Sequence, residues 1–314
     1  MFIELHMIQN FAPANLNRDD TNNPKDCEFG GVRRARISSQ CIKRAIRTSP
    51  VFAETTGVDV GTRTKWLVDL LRKRLAGEDQ GEEKKEEATA ILTAFVPKYA
   101  SKLDKGSEKT AVLLYLSSDE TDNIVQTLRQ NWESLADEKT RENTVNQLVK
   151  TLVKAHKGQT SAPDIALFGR MLAEKPELSL EAACQVAHAI STHRVTMEMD
   201  FYTAVDDLNP EDTTGAGMMG FTGFDSACFY RYARVDWGQL VQNLNDDAGL
   251  SRRTMEGFLR AAVAAVPSGK QKGFAANNPP SLLLAVQTAP LTSVPVWPLP
   301  ESSAPAAPLL SKDQ

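Results

Sequence analysis

The chain has 314 residues, 41% of them apolar, and a formal net charge of −4. That length can bury a full core, as one elaborated domain or as two. Four scattered cysteines (Cys27, Cys41, Cys184, Cys228) with no CxxC pair argue for reduced thiols, against a disulfide framework and against a zinc site. No run of about 18 apolar residues could span a membrane, and FIELHMI is too short and too polar for a signal peptide. A cytoplasmic protein without a membrane partner is expected.

Phe2 to Ile8 alternates apolar and polar positions and reads as a strand. The most telling stretch follows, Leu16 to Arg47: LNRDDTNNPKDCEFGGVRRARISSQCIKRAIR, read as a long basic loop and then a helix. Its second half, Arg33 to Arg47, carries six basic residues and no acidic one, inside an acidic protein. Such a patch implies a local anionic ligand, with polymer phosphate the first candidate. Ser38 and Ser39 are N-cap residue types before a short helix over Gln40 to Thr48, with Ile42, Ala45 and Ile46 on one face. Lys43 and Arg47 are an i, i+4 pair on another face, with Arg44 beside them. Exposed amides at that helix start, the serine hydroxyls and Gln40 form a phosphate cradle, and Gly30-Gly31 lets the backbone approach a ligand. A lone KRxxR is more often just a solvated face; the whole string is far more specific.

From about Ser49 to Gln159 the character is helical, with Trp66, Leu67, Leu70, Leu71 and Leu75 at helical spacing. An acidic stretch, GEDQGEEKKEE, precedes further helical periodicity at Ala88 to Ala100 and Ile124 to His156. Strand character is expected at Asp164 to Leu172, Val186 to Val195 and Phe229 to Val235. Trp237 to Leu244 and Arg252 to Val266 read as helices, and Ser281 to Thr288 as a closing strand. Met199 to Thr222 lacks periodicity and is rich in Gly, Thr, Asp and Pro, so a long loop is expected there. Six prolines from Pro290 onward mark an extended tail. The expected class is α+β. Without the helical insertion, the order resembles an RRM-like or ferredoxin-like sheet, a common platform for single-stranded RNA that also hosts many other functions.

The basic stretch also resembles the N-terminus of the CasC family, through LNRDD, Lys25-Asp26, Phe29 to Gly31 and RRARISSQCIKRAIR. DIALFGRM, AHAISTHRV, FYTAVDDL, FYRYARVDW and KQKGFAANNP extend the likeness in order from residue 2 to about 280. That family is the repeated backbone subunit of the type I-E CRISPR surveillance complex, Cascade. The resemblance implies an RRM-like palm over residues 1–50 and 160–290 and helical fingers over 51–159. It further implies a thumb loop over 199–222, whereas the Pro-rich tail over 290–314 departs from the family pattern. It implies a non-catalytic subunit without cofactors, in several head-to-tail copies on one guide RNA that pairs with target DNA. The large, small, guide-capping and guide-processing Cascade subunits are the other implied partners. Matching the motifs assigns guide binding to Arg18, Lys25, Arg34, Arg36, Ser38, Ser39, Gln40, Lys43, Arg44, Arg47, Arg170, Lys270 and Lys272. Met171 and Phe201 are the candidate base wedges.

Two other readings stand beside it. Asp19-Asp20 and Asp206-Asp207 could hold Mg²⁺ for phosphodiester cleavage, as in a metal-dependent ribonuclease. The structural reading is favoured: an Asp beside Arg18 or Arg36 fixes a guanidinium, and Asp206-Asp207 precedes a turn. His188 and His193, five apart on a strand-like run, face opposite sides and make a poor acid–base pair. The other reading is a protein scaffold, independent of RNA, whose basic patch grips acidic finger surfaces.

Overall fold

The computed structural model describes residues 1–76, 82–204, 207 and 218–289. In chain order the elements begin with β1 (Phe2–Ala14), β2 (Asp26–Phe29), β3 (Val32–Ile37), α1 (Ser39–Arg47), α2 (Pro50–Thr56), β4 (Thr62–Thr64) and α3 (Leu67–Ala76). Then come α4 (Glu82–Tyr99), β5 (Leu114–Leu116), α5 (Ser118–Gln130), α6 (Trp132–Ala136), α7 (Glu138–His156) and α8 (Pro163–Phe168). The remainder is β6 (Cys184–Val186), β7 (Ala189–Ser191), β8 (Glu198–Ala204), β9 (Met218–Asp236), α9 (Trp237–Asn243), α10 (Ala248–Ala264), α11 (Gln271–Phe274) and β10 (Leu282–Thr288). The fold is α+β, as expected. Two compact units divide it: a sheet unit of Phe2–Ile46, Val186–Arg234 and the chain from Val263, and a helical unit of Met1, Arg47–Gln185 and Val235–Ala262.

The sheet runs β10-β1-β9-β7-β3-β2, with β6 and β8 also pairing with β9. Pairs β1/β10, β2/β3, β3/β7, β7/β9 and β8/β9 are antiparallel. Taken as β1, α1, β7, β9, α10 and β10, the chain follows the β-α-β-β-α-β order of a split βαβ fold. Alternation along β1 sorts its side chains. Leu5, Met7 and Phe11 are buried, and Phe11 meets Phe229 of β9 edge-on at 5.8 Å. Buried on this same odd-numbered face, Arg231 donates to Gln9 Oε1 at 2.6 Å, and burial lowers its pKa to about 10.

The helical unit buries Leu67, Val68 and Leu71 of α3 with Ile91, Leu92 and Phe95 of α4, Ile124 and Leu128 of α5, and Val145, Val149 and Leu152 of α7. Ser117 and Glu120 close a capping box at the start of α5.

Three expectations change. Asp164 to Leu172 is not a strand: Pro163–Phe168 is helical with all six residues buried, so it shows no periodicity of either kind. The loop expected before α1 contains the β2/β3 hairpin. Both described ends of the expected thumb are strands, β8 and β9, in register from Glu198↔Phe224 to Ala204↔Met218. Apart from Asp207, the rest of the thumb (including Asp206), part of the acidic stretch and the tail lie outside the described residues.

Candidate nucleic-acid interface

The hairpin turns at Gly30 and Gly31, both with positive φ (64° and 73°). Asp26 on β2 takes the Arg33 guanidinium bidentately, at 2.6 and 2.9 Å, and this hydrogen bond raises the Arg33 pKa. Arg34, on the opposite face, is buried and donates to the carbonyls of Phe29 and Ser191. Arg36 is half-buried, with Nε 3.4 Å from Asp26 O.

Leu16-Asn17 is the hub on which the basic segments meet. Lys25 N–H donates to Asn17 O and Arg36 N–H to Lys25 O, both at 2.9 Å. Asn17 Oδ1 accepts from Ser38 N–H at 2.8 Å, which ties the loop to the start of α1. Asn15, fully buried, donates to Asn22 O and Gly223 O. Gly269 abuts the same strip: a Cβ there would sit 2.4 Å from Leu16 O and 2.7 Å from Asn15 O, so only glycine fits. That close approach sets Lys270 and Lys272 beside the loop. Lys270 is left-handed at φ 50° and its ammonium donates to Thr222 Oγ1, whereas Lys272 is exposed.

Asp19 folds this loop on itself. Its Oδ1 accepts from Thr21 Oγ1, Thr21 N–H and Asn23 N–H, and these bonds, Thr21 Oγ1 first, hold its pKa below the usual carboxylate value. It pairs with neither Arg18 nor Arg36, contrary to expectation; Arg18 instead donates to Asn22 Oδ1 at 2.8 Å.

The start of α1 is differently used than the sequence suggests. Ser38 Oγ accepts from Cys41 N–H at 3.3 Å, and His188 Nδ1 accepts from Ser39 N–H at 2.8 Å. The protein itself therefore occupies most of the expected amide cradle and leaves the N–H of exposed Gln40. Partial desolvation of this exposed ring, then the charges of Arg36 and Lys25, lower the His188 pKa. Arg44 is exposed and Lys43 half-exposed one turn further along. Asn17, Lys25, Arg36 and Asp225 line a cavity of about 10 Å³, and burial, then Asp26, pushes the Asp225 carboxyl up to about 6.

Other expected residues fall in the helical unit. Arg47 donates to Asp164 Oδ2 at 2.9 Å and to Gly61 O at 2.6 Å; Asp164 is fully buried and also accepts from Tyr115 Oη. Arg170 is buried against Glu120, with Nη1 2.8 Å from both carboxylate oxygens, and donates to Leu178 O and Tyr115 O. Neither guanidinium is presented to solvent. A bend at Gly169 (φ 76°), pressed on Leu180 O, turns Arg170 inward, and Met171 next to it is 89% exposed. In the sheet unit Phe201 is 52% exposed, its ring 5.1 Å from that of Phe221 across the hairpin. Among the described residues no group of three His, Cys, Asp or Glu is placed to hold a metal ion.

Sequence reading gave none of Asn15, Asn17, His188 and Gly269 this positioning role, although Asn17 lies inside LNRDD, His188 inside AHAISTHRV and Gly269 beside Lys270. What the sheet unit assembles is a rim of Arg18, Lys25, Arg36, Gln40, Lys43, Arg44 and Lys272, cationic and amide donors of the kind that phosphate oxygens accept from.

An antiparallel split βαβ sheet with a helical unit and a rim of basic residues defines an α+β protein. The chain belongs to the CT1975-like protein family, whose model matches residues 3–297. It is similar to a chain of a solved "CRISPR RNA-guided surveillance complex, pre-nicking", with 33% identity and a TM-score of 0.77 over 90% of this chain and 77% of that one. It is also similar to a chain of a solved "CRISPR RNA-guided surveillance complex", with 26% identity and a TM-score of 0.66 over 91% and 75%. No curated protein matches.

Proposed function

We propose that this chain is a guide-RNA-binding backbone subunit of a type I-E CRISPR surveillance complex in the cytoplasm, of the CasC kind. The observation that carries this reading is the convergence of loop 15–25, the start of α1 and the Lys270–Lys272 segment on Leu16-Asn17, which lines donors along one surface. Donors that reach phosphate but not base edges grip any sequence, leaving specificity to base pairing with target DNA. Exposed Met171 and the Phe201/Phe221 pair supply apolar groups that can wedge between or stack on bases. Copies joined head-to-tail by one repeated interface form an open helical array whose length the RNA sets. The subunit holds RNA without cutting it.

The test is the salt dependence of guide binding. For single strands the slope of log K against log salt changes by roughly 0.7 for each phosphate that the protein no longer neutralises. Lys25→Ala combined with Arg44→Ala flattens that slope by roughly 1.4 with guides of unrelated sequence. An unchanged slope rejects the assignment.

A further inference from the structure

Met171, almost fully exposed, stands between two buried residues, Arg170 and Leu172. A single exposed apolar side chain is ordinary on a protein surface. The firmness with which its backbone is held is not. Arg170 N–H donates to Leu180 O at 2.9 Å, and Leu180 N–H returns a bond to Arg170 O at 2.8 Å. On the other side Leu172 N–H donates to Ser179 Oγ at 3.0 Å, and the Leu172 side chain belongs to the core of the helical unit. Gly169 makes the turn into this frame, where a Cβ would lie 2.9 Å from Leu180 O.

The Arg170 guanidinium ties the frame to separate pieces of chain. Its Nε donates to Leu178 O at 2.8 Å, and its Nη1 lies 3.0 Å from Tyr115 O and 2.8 Å from both Glu120 oxygens. Glu120 is fixed in turn: its Oε2 accepts from Ser117 N–H at 2.7 Å, and its own N–H donates to Ser117 Oγ at 3.1 Å. Strand β5, the first turn of α5 and the segment 178–180 thus converge on one guanidinium, all within the helical unit. A buried ion pair is weak grounds for stability, since apolar residues of similar volume serve as well. What an apolar pair does not supply is direction. A planar guanidinium among fixed acceptors sets angle as well as distance.

We infer that Glu120 and Arg170 are positioning residues for Met171, holding it ready as a base wedge before RNA binds. The inference rests on the guide-binding reading above. Both side chains are buried, so neither touches RNA, and they act only through the backbone on either side of Met171. A prong held in one place carries no ordering cost at the moment of association. Every copy then meets the guide with the same geometry, which a regular interval of displaced bases requires.

The test is dimethyl sulfate probing of an adenosine-rich guide RNA bound to the full chain, together with the salt slope of binding. With the wild type, reactive bases recur at a regular interval, and Met171→Ala erases the recurrence. Arg170→Lys keeps a cation beside Glu120, but a single ammonium cannot hold Leu178 O, Tyr115 O and both Glu120 oxygens. Glu120→Gln keeps the shape of the side chain without its charge. Both variants erase the recurrence as Met171→Ala does, and both leave the salt slope at its wild-type value. Ile91→Val, a core change in α4 of the same unit, lowers the melting temperature and keeps the recurrence. Recurrence lost in Met171→Ala but retained in Arg170→Lys and Glu120→Gln overturns the positioning role and leaves the wedge standing. Recurrence that is absent from the wild type, or that survives Met171→Ala, overturns both. Erasure by Ile91→Val as well overturns the positioning role by reducing the pair to general stability.

Discussion

Removing the Arg170 side chain would leave Glu120 buried without its partner, and would deprive the carbonyls of Leu178 and Tyr115 of their donor. Breaking a buried pair in this way costs about 3–5 kcal/mol, so Arg170→Ala should show a much lower urea midpoint. Lys25 is half-exposed and makes no buried ion pair among the described residues, and Lys25→Ala should fall within about 0.5 kcal/mol of the wild type. Formal charge in the sequence did not separate the two, because it says nothing of which way a side chain faces. Arg34, Arg47 and Arg170 looked like ligand-binding groups for that reason, and hydrogen-bond geometry alone shows them engaged within the protein. Asp225 gives a pH signature of the rim. Burial raises its carboxyl to about 6, so the fold favours the protonated form. That contribution is complete below the ordinary value near 3.8 and is lost as pH climbs through about 6. Asp225→Asn should therefore raise the melting temperature at pH 8, by on the order of 2–4 °C, with the gain closing as pH falls to 4.

At the scale of elements, α1 depends on groups remote in sequence. Ser39 N–H donates to His188 Nδ1, a bond available only to the neutral ring. The His188 pKa lies below its ordinary 6.5, so the stabilisation is full above that value and is lost as pH falls through the lowered one. Acidification should lower the denaturation midpoint of the wild type more than that of His188→Ala, measured as the difference between their midpoints at pH 8 and pH 5. Strand β1 and helices α1, α9 and α10 were legible because each presents one buried stripe at the period of its element. Helix α8 was not, since burial on every side erases the period; Pro163 at its first turn was the available signal. The hairpin β2/β3 was hidden because arginines occupy its polar and its buried positions alike. Nor could β8 be read, because every one of its residues is exposed.

For the whole molecule, the repeated-subunit reading makes a counting prediction. Shortening the guide by one subunit's footprint should remove one copy from the assembly, seen as a single step in native mass spectrometry. A copy number independent of guide length would point to a closed ring. The order of strands has a consequence for biosynthesis as well. β1 leaves the ribosome well before β10, its antiparallel partner, which follows about 270 residues later. At about 5–20 residues per second, FIELHMI waits on the order of 15–55 s for that partner. Until then its apolar side chains depend on a chaperone or on transient burial. A translation pause anywhere between β1 and β10 would thus prolong the exposure of an aggregation-prone strand, most of all before its other neighbour, β9, is made.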